Sequence, residues 1–115
     1  MAFQTCDVVD AMAAASGTAP AALRIDGGAS VMDLLCQVQA DLLDVTVERA
    51  AVQETTALGA AYLAGIAEGV WASADEAAAA WRADATFTPN LDAAERTRRR
   101  AEWSRAVERA RGWAK

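Results

Sequence analysis

Apolar residues recur at helical spacing in two separate parts of the first 42 positions of the chain. Residues 3–16 are predicted to form a helix that ends at Ser16-Gly17, because glycine commonly follows the last helical turn. A second helix is expected after residue 30. The apolar residues expected to face the protein core are Val8, Val9, Met12 and Ala13 in the first helix, and Val31, Leu34, Leu35, Val38 and Leu42 in the second.

Two short stretches between helical patterns are typical of strands. Leu23 and Ile25 are apolar residues suited to a short strand, and residues 45–48 alternate between apolar and polar. Thr55 or Thr56 is expected to cap a third helix of small residues. The order strand, helix, strand, helix predicts an α/β fold with parallel strands and right-handed crossovers.

The third helix contains two glycines, Gly59 and Gly65. A glycine inside a helix costs about 1 kcal/mol relative to alanine, so a compensating interaction is expected. Small side chains let backbones pack tightly, and we expect a neighbouring strand or helix to approach this helix closely.

The last third of the chain is predicted to be mainly helical. Ser73 and Glu76 have capping spacing ahead of an alanine-rich helix that is expected to reach Trp81. Residues 87–89 are predicted to be an extended connector, because the residue before a proline avoids helical geometry. Asp92 and Glu95 are expected to cap a final helix. Its predicted packing residues are Trp103, Val107, Ala110 and Trp113.

The sequence Asp26-Gly27-Gly28-Ala29-Ser30 joins the first strand to the second helix. Ser30 and Asp33 have the spacing of a capping box. Paired glycines let a ligand approach the backbone, and a helix start attracts phosphate. A turn built only for tight packing fits the local pattern equally well. The dinucleotide fingerprint lacks its third glycine, and no Gly-Lys-Ser/Thr phosphate loop is present.

Composition narrows the classes of function. The chain has 115 residues, 54% apolar content and a mean hydropathy of +0.06, which favours one packed domain. The absence of histidine excludes imidazole-activated nucleophiles and most zinc sites. Cys6 and Cys36 are expected to be free or buried thiols in a reducing compartment. Neither a signal peptide nor a membrane span is predicted, so we expect a cytoplasmic protein without a membrane partner.

Charge is distributed unevenly along the chain. Residues 1–95 hold three basic and fourteen acidic side chains, whereas residues 96–115 hold eight basic and two acidic ones. A basic tail can bind nucleic acid. However, the arginines at 96 and 98–100 point around the helix, without an aromatic platform. A solvated helix with Glu95–Arg99 pairing is therefore favoured, and no nucleic-acid partner is expected.

Several sequence segments together resemble the FGGY family of carbohydrate kinases, and within it the kinases of glycerol. They are AFQTCDVVDAM at 2–12, LRIDGGAS at 23–30, LLCQVQADLL at 34–43, VERAAVQETTALGAAYLAG at 47–65, and the closing helix with its tryptophans. The resemblance implies part of a ribonuclease H-like domain of the actin and hexokinase type. It assigns residues 1–70 to the carboxyl-terminal part of the nucleotide-side domain and 71–115 to its helical extension.

The resemblance also implies a nucleotide site. Gly27, Gly28 and Ala29 match the turn that lies against ATP, with Mg²⁺ as the accompanying metal. Met32 stands where the family often has an asparagine that touches adenine, and methionine lacks the amide for that hydrogen bond. The family's catalytic base lies upstream of the matched segments. Asp26 is therefore interpreted as a structural or loop-orienting carboxylate, and no catalytic residue is assigned.

The implied activity is the ATP-dependent phosphorylation of glycerol, which would bind through an amino-terminal domain that precedes Met1. Alternatives are a kinase of another sugar or polyol, a non-catalytic nucleotide-binding module, and a purely structural fragment. With two predicted strands and uncovered edges, the isolated chain is expected to be inactive, marginally stable and prone to form homo-oligomers.

Overall fold

The computed structural model describes residues 1–113 of the chain. Within that range, no helix is both long and apolar enough to cross a membrane. The helices and strands are α1 (Ala2–Ser16), β1 (Ala22–Ile25), α2 (Asp33–Leu43), β2 (Thr46–Ala50), α3 (Thr55–Ala67), α4 (Ala74–Ala78), β3 (Ala83–Phe87) and α5 (Ala93–Ala110), with a 3₁₀ turn at Gly28–Val31 before α2.

The three strands form one mixed sheet with β2 in the centre. β1 runs parallel to β2, with Leu23 opposite Val47, which confirms the predicted parallel pair. β3 runs antiparallel to β2 and places Phe87 opposite Val47. The third strand was missed by the sequence pattern because the alanines and Asp84 in β3 have low strand propensity. Pairing with β2 overrides that preference.

Helix α2 covers one face of this sheet. Cys36 and Ala40 are buried against Val47, and the side chains that pack around them are Leu23, Ile25 and Phe87. A second cluster joins α2 to α1 through Leu42, Ala2 and Cys6. The core is therefore concentrated around α2, between the sheet and α1.

The predicted buried faces of α1 and α2 were partly wrong. Val8, Met12 and Leu34 are exposed, whereas Ala2 and Cys6 are the buried residues of α1. Alanines occupy four of the last six positions of α1, so the apolar pattern there does not select one face. In α2, Cys36, Ala40 and the polar Gln39 occupy the inner face, and Leu34 lies opposite.

Side-chain caps were predicted correctly at two helices and wrongly at two others. Asp92 accepts hydrogen bonds from the backbone of Ala94 and Glu95, and the Ser73 hydroxyl caps α4. By contrast, α2 is preceded by Met32 and α3 by Glu54, neither with a side-chain cap. Ser30 and Asp33 form no capping box because the intervening residues belong to the 3₁₀ turn.

Helix α4 ends at Ala78 instead of reaching Trp81. The backbone N–H groups of Ala80 and Trp81 donate to the carbonyls of Ala77 and Ala78, three residues earlier. This spacing is tighter than the four-residue spacing of an α-helix. The chain then enters β3, so the segment predicted as a helical extension also completes the sheet.

Helix α5 attaches to α1 and α2 mainly through polar and aromatic contacts. The Trp103 ring stacks on Phe3 with centroids 5.4 Å apart, and its Nε1 donates to Asp7 at 2.8 Å. Arg96 pairs with Asp44 at 2.8 Å. Packing was therefore predicted correctly for Trp103, whereas Val107 and Trp113 are exposed. The predicted Glu95–Arg99 pair is present at 2.7 Å.

The described chain is open in shape. Its radius of gyration is 17.4 Å, compared with about 13 Å for a compact domain of this length. Helices α3 and α4 project from the sheet and pack mainly on each other. Much of their apolar surface is exposed as a result.

Candidate functional site

The glycine turn at the carboxyl end of β1 has a defined backbone shape. Gly27 has φ 78°, a left-handed conformation that favours glycine. Its N–H donates to the carbonyl of Gln53 at 3.0 Å, which ties the turn to the segment after β2. Ser30 donates both its N–H and its hydroxyl to the Gly27 carbonyl, at 3.0 and 2.7 Å.

Two N–H groups lie between these fixed points. Among residues 1–113, the backbone N–H groups of Gly28 and Ala29 donate no hydrogen bond. A Cβ built on Gly28 would meet no atom within 4 Å. The turn therefore presents two backbone donors beside an open space, an arrangement that suits an anionic ligand.

Arg49 in β2 holds the far side of this turn. Its Nη1 donates to the Ser30 carbonyl at 3.2 Å and to Asp33 Oδ1 at 2.7 Å. Its Nε donates to Asp84 Oδ2 at 2.8 Å. The hydrogen bond to Asp33, reinforced by Asp84, holds the pKa of the Arg49 guanidinium above its usual value. We call Ser30, Asp33, Arg49 and Asp84 the Arg49 cluster.

A cavity of about 280 Å³ lies beside the turn, between β1, α1 and α2. Ala29 lines it, whereas Gly27 and Gly28 do not. Gln39 also lines the cavity with 7% of its surface exposed, and its Nε2 donates to the Thr5 hydroxyl at 3.1 Å. The other amide atom, Oε1, is buried without a partner in the described residues.

Asp26 and Met32 flank the turn and differ in their local contacts. The Asp26 side chain is exposed and accepts no hydrogen bond within residues 1–113. Its interpretation as a loop-orienting carboxylate stays a prediction. Met32 donates its backbone N–H to Ala29 at 3.2 Å and closes the 3₁₀ turn. About half of the Met32 residue surface is exposed.

Both cysteines are free and buried, as expected from the sequence. Burial raises the pKa of the Cys6 and Cys36 thiols and disfavours their nucleophilic thiolate forms. The Cys36 thiol donates to the Ser30 carbonyl at 3.2 Å, and the same oxygen also accepts from Arg49. Cys36 therefore supports the glycine turn as a packing residue.

The described residues contain no group of three or more histidine, cysteine or carboxylate side chains that could hold a metal ion. Asp33 and Asp84 belong to the Arg49 cluster, and both carboxylates are already paired with the Arg49 guanidinium. This part of the chain does not fit a protein-built Mg²⁺ site, and no chemical step through the metal is derived.

Sequence reasoning placed Gly27, Gly28 and Ala29 in a turn after the first strand, where the structure also has them, and their binding role stays a prediction. It missed Arg49 and Gln39. Arg49 is one of three basic residues in positions 1–95, and it follows Glu48 in β2. The rarity of basic residues in this acidic part of the chain was the available signal. Gln39 gave none, because a glutamine at a helical position is usually solvated.

Known proteins share the sequence and the fold of this chain. The family model described as "FGGY family of carbohydrate kinases, C-terminal domain" matches residues 1–68. A glycerol kinase from Petrotoga mobilis is 54% identical over 113 residues, which cover 98% of this chain and 23% of that protein. The chain thus spans about a quarter of the length of such curated relatives.

Two solved structures share the fold. Plasmodium falciparum glycerol kinase with ADP matches at a TM-score of 0.81 and 34% identity, over 94% of this chain and 22% of that one. A ligand-bound xylulose kinase from Lactobacillus acidophilus matches at a TM-score of 0.74, over 83% of this chain and 20% of that one. Its identity of 23% supports likeness of fold alone.

Proposed function

The chain belongs to the FGGY family of carbohydrate kinases, and from this membership we propose that it forms the nucleotide side of an ATP-dependent glycerol kinase. The glycine turn is the local observation that carries the proposal. Its free N–H groups at Gly28 and Ala29 stand at the carboxyl end of a parallel strand, where α/β folds commonly bind ligands. Gly27, Gly28 and Ala29 are the proposed nucleotide-binding residues.

The chemistry of the turn fits a nucleotide phosphate. Backbone N–H donors bind phosphate oxygens without adding a side chain, and the open space at Gly28 lets a ligand approach the backbone. ATP would supply the transferred phosphoryl group. In this proposal, Gly27 sets the shape of the turn, while Gly28 and Ala29 donate hydrogen bonds to the nucleotide.

Glycerol is proposed as the phosphoryl acceptor because the 54%-identical relative is named a glycerol kinase. The catalytic base and the polyol pocket are assigned to polypeptide outside these 115 residues. Residues 1–115 alone would then show no kinase turnover. Mg²⁺ is proposed to accompany the nucleotide, and the proposed location is the cytoplasm.

We also propose a division of the chain near residue 70. Residues 1–70 would carry the nucleotide turn, and residues 71–115 would form an extension of the same domain. The pairing of β3 with β2 supports treating the two parts as one folding unit.

Substitution at Gly28 tests the nucleotide proposal with little effect expected on the free fold. Because a Cβ fits at this position without a close contact, Gly28→Val should obstruct a ligand and spare the chain. We expect saturable ADP binding by residues 1–115 and a loss of about ten-fold or more in the variant, measured by titration calorimetry.

Gly59→Ala is the matched control, since Gly59 also has open space and lies in α3. It should bind ADP with unchanged affinity. Equal ADP affinity of Gly28→Val and the parent chain, or no saturable binding by the parent, would contradict the proposed nucleotide site.

A chimera assay tests whether this chain can complete a glycerol kinase. When it replaces the matching segment of the 54%-identical Petrotoga mobilis glycerol kinase, we expect ATP-dependent phosphorylation of glycerol to be retained. A folded chimera that does not phosphorylate glycerol would contradict the proposed function.

A further inference from the structure

Arg49 contacts three separate elements around the glycine turn. Its guanidinium donates to the Ser30 carbonyl of the 3₁₀ turn, to Asp33 at the start of α2, and to Asp84 of β3. Only 15% of the side chain is exposed. Guanidinium groups suit this geometry because their donors lie in a rigid planar fork.

The contacts form a continuous path to the two free N–H groups. Arg49 fixes the carbonyl of Ser30, and the N–H and hydroxyl of Ser30 both bind the Gly27 carbonyl. Gly28 and Ala29 lie between those two residues. A shift of Ser30 would therefore change the direction of both free backbone donors.

Arg49 also controls charge beside the turn. It pairs with Asp33 and Asp84 at 2.7 and 2.8 Å and offsets one of their two negative charges; without it both carboxylates would be unpaired near the same backbone segment. Unpaired negative charge would oppose the approach of a phosphate group. Loss of Arg49 should therefore weaken nucleotide binding through both geometry and electrostatics.

We propose that Arg49 is a positioning residue for the nucleotide turn, and that Asp84 connects the carboxyl-terminal extension to this site. This inference rests on the proposed nucleotide function. Asp84 lies beyond residues 1–68, which match the family model. The extension thus takes part in ordering a binding turn that lies more than fifty residues earlier in the sequence.

Arg49→Met in residues 1–115 is the primary test, with Arg96→Met as its matched control. Arg96 has a similar side-chain exposure of 19% and pairs with Asp44 at 2.8 Å, away from the turn. Backbone amide signals of Gly28 and Ala29, read by nuclear magnetic resonance, report the shape of the turn. Calorimetric titration with ADP reports binding.

We expect Arg49→Met to shift or broaden both amide signals and to weaken ADP binding by about ten-fold or more. Arg96→Met should leave both readouts unchanged. Arg49→Lys should recover only part of the affinity, because an ammonium group lacks the planar fork that reaches all three acceptors. Full recovery by lysine would overturn the geometric part of the proposal.

Asp84→Asn keeps Arg49 and removes one of its charged partners, so it serves if Arg49→Met does not fold. We expect a two- to five-fold loss of ADP affinity, roughly the effect of weakening one exposed ion pair, with shifted Gly28 and Ala29 signals. Unchanged signals and affinity would overturn the assigned role of the extension.

The two proposals fail in different ways. If the parent chain does not bind ADP, the nucleotide function is overturned, while the amide signals still decide whether Arg49 orders the turn. If the parent binds ADP and a folded Arg49→Met variant binds it equally well, the positioning role is overturned and the nucleotide function stands.

Discussion

Helices α2 and α3 each follow a strand, yet they relate differently to the core. Helix α2 buries Cys36, Gln39, Ala40 and Leu42 within eleven residues. Helix α3 is longer and more apolar, and none of its thirteen residues is buried. Apolar composition therefore does not determine burial in this chain. Helix α2 lies between the sheet and α1, whereas α3 has α4 as its main neighbour.

Local packing gives α3 a different kind of support. Trp71 folds back over Gly65, and Tyr62 meets the same ring edge-on with centroids 5.1 Å apart. This small aromatic contact orders the end of α3 without a large core. The contrast predicts that truncating a core side chain of α2 costs more stability than truncating an exposed side chain of α3.

The largest expected difference is between two leucine truncations. Leu42 in α2 is 1% exposed, and Leu42→Ala should lower the free energy of unfolding by about 2–5 kcal/mol. Leu63 in α3 is 70% exposed, and Leu63→Ala should change it by less than about 0.5 kcal/mol. Urea unfolding followed by circular dichroism measures both values.

Repeating the unfolding measurements at several protein concentrations tests this first comparison further. If self-association covers α3, the effect of Leu63→Ala will grow with concentration, because oligomerisation stabilises the folded chain by mass action. Equal losses in the two variants at low concentration, with sedimentation showing monomer, would contradict the difference between α2 and α3.

An intermediate effect is expected at the two glycines of α3. A Cβ at Gly65 would lie 2.2 Å from Trp71 Cζ3, so Gly65→Ala should displace the ring and cost about 1–3 kcal/mol. Gly59 has open space, and Gly59→Ala should stabilise the helix by about 0.4–1 kcal/mol. Tryptophan fluorescence and thermal unfolding distinguish the two outcomes.

Stabilisation by Gly65→Ala, with unchanged fluorescence, would show that Trp71 does not pack against Gly65. The local support assigned to α3 would then be wrong. A loss of stability in Gly59→Ala would indicate that a further surface approaches this glycine in solution.

The smallest expected effect is the pH response of α5, which also lacks buried residues. Hydrogen bonds from Arg98 and then Arg99 lower the pKa of Glu95 to about 2. The unfolded value is about 4.3. Because the folded pKa is the lower one, the stabilisation is present above pH 4.3 and is lost as the pH falls towards 2.

Helicity measured by circular dichroism between pH 6 and pH 2 tests this contribution. Glu95→Gln should reduce the loss of helicity on acidification. Glu108→Gln serves as the control. Glu108 pairs with Arg111, and both side chains of this pair are largely exposed. An unchanged acid response in Glu95→Gln would contradict the role assigned to the Glu95 pairs.

Sequence patterns predicted the elements that depend on local chemistry. Gly17, Ser73 and Asp92 identified helix ends because their conformational and capping preferences operate within a few residues. The pattern failed for β3, whose residues become a strand only through pairing with β2. It also failed to select the inner face of α1, since neighbouring elements decide which alanine-rich face is covered.

The candidate site shows the same limit. The paired glycines identified the turn, and Gly27 does adopt a conformation that requires glycine. Its support by Arg49 could not be read from the sequence, because Ser30, Asp33 and Asp84 meet only after the sheet has formed. Long-range pairing brings together residues whose spacing carries no motif.

The antiparallel strand β3 has a consequence for synthesis of the protein. Arg49 and Asp84 are 35 positions apart, so a ribosome adding about 5–20 residues per second needs roughly 2–7 s to reach the second residue after the first. A hairpin closes in microseconds. During this interval one edge of β2 has no neighbour, and chaperones that recognise open strands have time to bind the nascent chain.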